Sequence, residues 1–293
     1  MKIAYSLIKI LRRTIILGLC LFLASSFIVA QNTPLNTEDI FNKMFEAARN
    51  VKTLRTIMTS LERIDGKNKL TRYSVKLNTS PLKSYSKDLD KGIEVLYIEG
   101  QHDNEATVNP NGFPYVNLHL DPFGKVMRKE QHQTINRLGF NYISNILYHS
   151  LSKFPDAYTK YIKHDADTVW DGSACYKIEI NFPSYTNTKY IVKEKGETVS
   201  KLASKYYLSE YQILTLNNIS WYDDELDIGQ QILLPGAYAK STVLFIRKDN
   251  YLPVVIRTYD DKGFFEEYLY TKLQLNPVIP DAEFKEDYSG YHF

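Results

Sequence analysis

Residues able to carry chemistry are present but do not fall into reactive patterns. The six histidines are His102 beside Asp103, His119, His132 near Glu130, His149, His164 near Asp165 and Asp167, and His292. None shows a ligand spacing such as H-E-x-x-H, which sets two imidazoles on one helical face around a metal. The expectation is that they are scattered over a polar surface, with no metal and no cofactor. No serine sits in G-x-S-x-G, and no glycine-rich loop is built to cradle phosphate. Cys175 lies among strand-forming residues without a histidine partner. No catalytic residue is assigned, and an enzyme would have to be assembled from positions far apart in the chain. The 23 tyrosines fall largely in strand-like segments, which aromatic residues favour. They can also stack on sugars or line a lipid groove, and they define no site by themselves.

The elements are most legible at 190–235. A short apolar strand, Tyr190-Ile191-Val192, turns through Lys195-Gly196-Glu197-Thr198. Val199, Leu202, Ala203 and Tyr206 then recur at offsets 0, 3, 4 and 7, one face of a short helix. Ser209 followed by Gln212 has the pattern of a capping box. It opens a second helix carrying Ile213, Leu214 and Leu216, which stops at Asn217-Asn218. Gly229 and Ile232-Leu233-Leu234-Pro235 complete a strand, helix, helix, strand order.

These residues resemble the LysM modules, whose Y-x-V, G-[DE]-T, I/L-A, N-N and G-Q-x-L-x-P signposts all have counterparts here in order. The resemblance implies binding of the N-acetylglucosamine backbone of peptidoglycan or chitin in a shallow groove. Its two rims would be Gly196, Glu197, Thr198 and Val199 on one side and Asn217, Asn218 and Ile219 on the other. Val199 stands where the family usually has Leu, and Ser220-Trp221-Tyr222-Asp223-Asp224 makes the second rim slightly long. A module serving only as a spacer is the alternative.

The chain opens with Lys2, Lys9, Arg12 and Arg13, then runs uncharged and apolar over 14–30, the layout of a secretory signal. Cleavage after Ala30 and export to the periplasm or cell envelope are expected, an uncleaved anchor being the alternative. Bulky residues ahead of Cys20 argue against lipidation there. Removing 1–30, which hold those four basic groups and no acidic ones, takes 36 Lys+Arg against 34 Asp+Glu to 32 against 34. A near-neutral chain without blocks of like charge lacks the footprint of a nucleic-acid binder. Only Cys175 then remains, which excludes an internal disulfide and suits a small buried apolar residue.

Outside the module, the apolar periodicity from Thr37 predicts a helix bearing Ile40, Phe41, Met44, Phe45, Ala48 and Val51. Alternation then predicts strands over 54–64 and 72–77 joined at Asp65-Gly66, and further strands at 93–98 and 106–109. Residues 109–114 are turn or loop, and 116–134 are mixed. Helix is expected over 137–151 and in a short piece at 156–164, with sheet resuming at Thr168. The turn Asp171-Gly172 leads into a strand ending at Phe182. Strands return at 242–247, 254–259 and 264–275. The host is therefore an α+β domain of mostly antiparallel sheet, interrupted by the module. Its final third, through Asp249, Leu252-Pro253, the Asp260 to Gly263 turn, Tyr268, Tyr270, Asn276, Asp281-Ala282 and Phe284, resembles the LolA/LolB-like lipoprotein carriers. That resemblance implies a curved antiparallel half-barrel with packed helices, the helix at 40–51 filling its concave side, and an acyl chain or lipidated protein as partner.

The organisation expected is a signal peptide at 1–30, a discontinuous LolA-like host at 31–187 and 236–293, and an inserted LysM domain at 188–235. The function expected is non-catalytic: an envelope protein that binds peptidoglycan through LysM and holds a lipid or lipidated partner in its host. A peptidoglycan-acting enzyme and a purely structural wall-binding protein are the alternatives.

Overall fold

The protein is described by a computed structural model that covers residues 35–154, 156–182, 185–221 and 225–293. The signal segment and its cleavage point lie outside the described residues, as do Pro183 and positions 222–224 of the long rim. No helix among the described residues is long and apolar enough to cross a membrane.

Helix α1 (Thr37–Asn50) carries Glu38 and Asp39 in its first turn, favourable to the helix dipole, and buries Ile40, Phe41, Met44, Phe45 and Ala48. Strict alternation makes β1 (Thr53–Ile64) a strand with every second residue buried. It pairs with β2 (Lys67–Thr79) across Asp65-Gly66, both at positive φ, as a two-residue hairpin requires. A meander continues through β3 (Leu82–Asp88), β4 (Glu94–Ile98), β5 (Ala106–Asn109) and β6 (Leu118–Leu120). After α2 (Lys125–Arg128), α3 (Phe140–Ser152) and α4 (Ala157–Lys160) come β7 (Ile162–Trp170) and β8 (Ser173–Asn181). Beyond the inserted segment lie β11 (Ser241–Arg247), β12 (Pro253–Asp260) and β13 (Gly263–Leu275).

All eleven strands form one curved sheet in the order β6-β5-β4-β3-β2-β1-β13-β12-β11-β8-β7, antiparallel throughout. The first and last long strands meet at its centre. Two sequence expectations need correction. Strand β3 was not expected because its sequence, LKSYSKD, has no apolar alternation; its inward positions are Ser84, Ser86 and Asp88. Strand β7 begins at Ile162 rather than Thr168, since the short helix ends at Lys160.

Cross-strand register defines the two faces. One row is Thr56, Val75, Ser86, Val95 and Val108; others are Met58 with Tyr73 and Asp88, Ser60 with Thr71, and Glu62 with Lys69. On this inner face α1, α3 and α4 pack together over β7, with Phe41 against Phe45 and Tyr158 and Phe45 against Tyr148. The apolar stripe of α1 is thus sealed. Gly139, at φ +88°, begins α3 where a Cβ would stand 2.6 Å from Leu77, so only glycine fits. The meander half is covered by Met127 and Ile135, which join Tyr97, Ala106 and Val108 in a second cluster.

The opposite face is capped by the C-terminal residues 277–293. Phe284 packs with Tyr85 and Leu96, and Tyr291 stacks on Tyr85 at 4.0 Å. Glu283 accepts both guanidinium nitrogens of Arg55 at 2.8 and 2.6 Å and lies 2.7 Å from Lys76 Nζ.

Residues between β8 and β11 leave and return at adjacent points, Asn181 being paired with Ser241. They form a two-stranded sheet of β9 (Thr188–Ile191) and β10 (Gln231–Leu234) with α5 (Val199–Tyr206) and α6 (Glu210–Asn217). Val192, Val199, Leu202, Ile213, Leu214 and Ile232 are among the side chains of its own small core.

Candidate functional site

Both rims expected to bind glycan are built by local capping. Glu197 accepts the Tyr190 hydroxyl at 2.7 Å and the Lys193 N–H at 2.9 Å. The Tyr190 bond and then these backbone bonds hold its carboxyl below the usual range. Thr198 caps α5 by accepting the Lys201 N–H. Gly196, at φ +79°, is exposed, whereas Val199 is fully buried and offers only backbone.

On the second rim Asn217 is a clamp. Its amide donates to the carbonyls of Ile213 and Leu233 and accepts the Leu233 N–H, each within 2.8 Å, which fastens α6 to β10. Asn218 is exposed in the left-handed C-cap conformation, and the Ile219 N–H donates to Leu214. The first loop meets the far part of the second, where Thr198 bridges Glu225 and the Leu226 N–H donates to Glu197. Of the seven rim residues only Gly196 and Asn218 are exposed, and the Gly196 carbonyl accepts from Lys201 Nζ at 2.7 Å.

One histidine departs from the expected surface scatter. His132 is buried with Glu62 and Glu266, which lie 70 and 134 positions away from it in the chain, and each of the three lends a ligating atom within 4.8 Å of the others. Register places Glu62 directly opposite Glu266 on β1 and β13, a like-charge pairing that costs energy unless something intervenes. His132 Nδ1 lies 2.8 Å from Glu266 Oε2, and its backbone N–H donates to Glu62 at 3.1 Å. The Tyr268 hydroxyl is 2.7 Å from Glu62 and 3.1 Å from Glu266, while Tyr238 donates to Glu266 at 2.7 Å.

Burial pushes the Glu62 carboxyl up. Burial opposes charge on His132, but the Glu266 bond and the charges of Glu62 and Glu266 outweigh it and raise the imidazole. One extra proton on Glu62 beside a His132–Glu266 ion pair leaves the cluster neutral, as a dry site requires. The geometry also suits a divalent cation, with His132 Nε2 fixed by the Arg63 carbonyl at 3.3 Å. Single-sequence reading missed the cluster because its three members come from distant segments.

The same cluster receives the inserted module. Tyr211 of α6 lies over His132 at a centroid distance of 4.6 Å, and its hydroxyl accepts the Asp65 N–H at 2.7 Å. Glu210 pairs with Arg128, both buried. Tyr207 stacks on His149 at 4.6 Å, and Arg137 donates to Ser204.

On its other side the cluster reaches a cavity of about 280 Å³ between the inner sheet face and residues 118–138. Val95, Val108, Leu120, Met127, Ile135 and Leu138 make apolar walls; Ser60, Glu62, Thr71, Asp88 and Tyr268 supply polar groups; Lys91, Val126 and Lys129 stand at the exposed rim with the half-buried Lys69. Cys175 is buried, as its strand setting implied, and burial raises its thiol.

Residues 51–210 match the family described as Protein of unknown function (DUF1571), and 190–235 match the LysM domain. No curated protein sequence matches the chain. Similar solved structures include MucB, at 10% identity and TM-score 0.42, covering 85% of this chain and 62% of that one. They also include a LolA superfamily protein from Nitrosomonas europaea, at 12% and 0.33, covering 87% and 99%. Lipoprotein LppX of Mycobacterium tuberculosis aligns at 13% and 0.39, covering 82% and 95%. The chain thus spans about three-fifths of the length of MucB.

Proposed function

Since this chain belongs to the DUF1571 family, the match covering more than half of its residues, and carries a LysM domain, we propose that it is a non-catalytic envelope protein with two binding functions. The LysM module holds peptidoglycan through the rims at Gly196 to Val199 and Asn217 to Ile219, and the host domain takes the apolar part of a lipid or lipidated protein. The observation that carries the second half is the cavity of about 280 Å³ with its apolar walls. A chain entering it gains roughly 0.8 kcal/mol per buried methylene before ordering costs. The polar groups at Ser60, Thr71 and Tyr268 suit an ester, amide or hydroxyl near the inner end of the ligand.

Displacement of a fluorescent fatty acid from the purified protein tests this, with Val108→Trp as the variant that fills the cavity. Saturable binding that Val108→Trp weakens at least tenfold is expected. No saturable binding by the folded parent overturns the lipid half. Sedimentation with insoluble peptidoglycan tests the other half, with Asn218→Arg chosen because it crowds the open rim and spares the Asn217 clamp. Retention of the parent and loss of the variant are expected, and release of soluble fragments would overturn the non-catalytic reading.

A further inference from the structure

Large apolar side chains are exposed along one short stretch of the chain. Phe113 is 85% exposed and Tyr115 82%, with Val116, Phe123 and Val126 also open to solvent. The rings of Phe113 and Tyr115 meet each other edge to face at 6.3 Å. Such a concentration on a folded surface marks an interaction site.

Charge and position say what it meets. Its far end lies at the cavity mouth, where Val126 and Lys91 stand at the rim; its near end is tied to that rim by Asn111, which donates to the Lys91 carbonyl at 2.8 Å, while Tyr115 and Val116 line a neighbouring hollow with His292 and Phe293. Lys69, Lys91 and Lys129 line the cavity beside Val126, with Asp88 the one carboxylate among these lining residues outside the buried cluster, and Lys125 is exposed next to Val126 in the chain. Lys69 and Lys129 share Glu130 at 3.8 and 3.7 Å, and Arg137 lies over Phe123 at 5.9 Å. Aromatic side chains within a cationic border suit the headgroup boundary of an anionic bilayer. There the rings enter the acyl edge while the lysines meet lipid phosphates.

We infer that residues 113–126 and the surrounding lysines form a docking surface for an anionic lipid bilayer, presenting the cavity mouth to the membrane. The inference goes beyond the ligand reading and does not depend on the cavity being occupied. A protein held by the wall and touching the membrane here would exchange its ligand without the chain crossing water.

The test is co-sedimentation of the protein, in the N-terminal form purified from the envelope, with vesicles of phosphatidylcholine alone and of a 3:1 mixture with phosphatidylglycerol. Binding to the mixed vesicles that falls at 0.5 M salt is expected. Phe113→Asp/Tyr115→Asp should reduce it at least tenfold, and Lys91→Glu by about fivefold or more. Far-UV circular dichroism and the thermal unfolding midpoint of each variant, unchanged from the parent, show that the fold persists. Failure of the parent to bind mixed vesicles, or equal binding by the double aspartate variant, overturns the inference. Concentration-dependent self-association abolished by that variant, with no vesicle binding, would overturn it in favour of a second copy as occupant.

Discussion

Single side chains hold this protein together in ways that titration can read. Glu283 is kept near pKa 2, down from the ordinary 4.5, first by the Arg55 hydrogen bonds and then by Lys76. A carboxyl depressed in the folded state contributes stability that is complete above about 4.5 and is lost as pH falls toward 2. Glu283→Gln should therefore cost about 2 kcal/mol at pH 7, and urea denaturation should show the difference shrinking below pH 4.5. Glu62 behaves in the opposite sense. Its raised carboxyl contributes stability that is complete below 4.5 and is lost as pH rises through its folded value. His132 adds a loss in the same direction above 6.5. Glu62→Gln keeps the neutral shape, so the variant should lose less stability than the parent between pH 5 and 9. An equal slope in both would contradict a protonated Glu62 beside the His132–Glu266 pair. Asn217→Ala removes two hydrogen bonds between α6 and β10 and one within α6 and should destabilise the protein by about 2–3 kcal/mol.

At the scale of elements, the inserted module is more firmly docked than a spacer in a hairpin needs to be. Helix α6 turns Glu210, Tyr211 and Gln212 toward buried surroundings, although its weak amphipathicity gives no hint of a second apolar face. Tyr211 touches His132, Trp221 and Phe265. Tyr211→Ala should cost about 3 kcal/mol, with hydrogen exchange rising in α5 and α6 before it rises in the eleven-stranded sheet. We propose that 188–235 is nevertheless separable. Replacement by a short glycine-containing turn keeps the β8–β11 pairing and should leave a cooperatively unfolding host, weakened by the exposure of His132 and Phe265. The excision has to stop at Pro235, because Tyr238 belongs to the host's buried cluster.

On the whole-molecule scale the cluster of Glu62, His132 and Glu266 stands between the module and the cavity, with Tyr211 on one side and Glu62 and Tyr268 lining the other. Under the proposed function, the wall-binding module and the ligand cavity meet at this one cluster. The expected outcome is that protein preloaded with a fluorescent fatty acid carries the probe into the peptidoglycan pellet in proportion to the protein. Probe left in the supernatant beside sedimented protein would show that the two functions exclude one another.

Much of this was local and therefore readable from the chain alone. Alternation in β1, the stripe of α1, the Asp65-Gly66 and Asp171-Gly172 turns, and the caps at Thr198 and Ser209 depend on neighbours a few residues away, and each appears where its sequence places it, although the capping box is only half formed, the buried Gln212 amide making no return bond. The LysM signposts are of this kind, being turn and cap chemistry. The sites needed more. Strand β3 was hidden because Ser84, Ser86 and Asp88 point inward without an apolar signature, and its partners rather than its own propensity make it a strand. The roles of Val199 and Asn217 as core and clamp depend on β10 closing over them. His132 looked like a surface residue because Glu62 and Glu266, which draw it inward, meet only when β1 pairs with β13. The position of the cavity was likewise decided by tertiary packing: α1 seals its own stripe against α3 and α4, and the opening falls where residues 118–138 cross the meander.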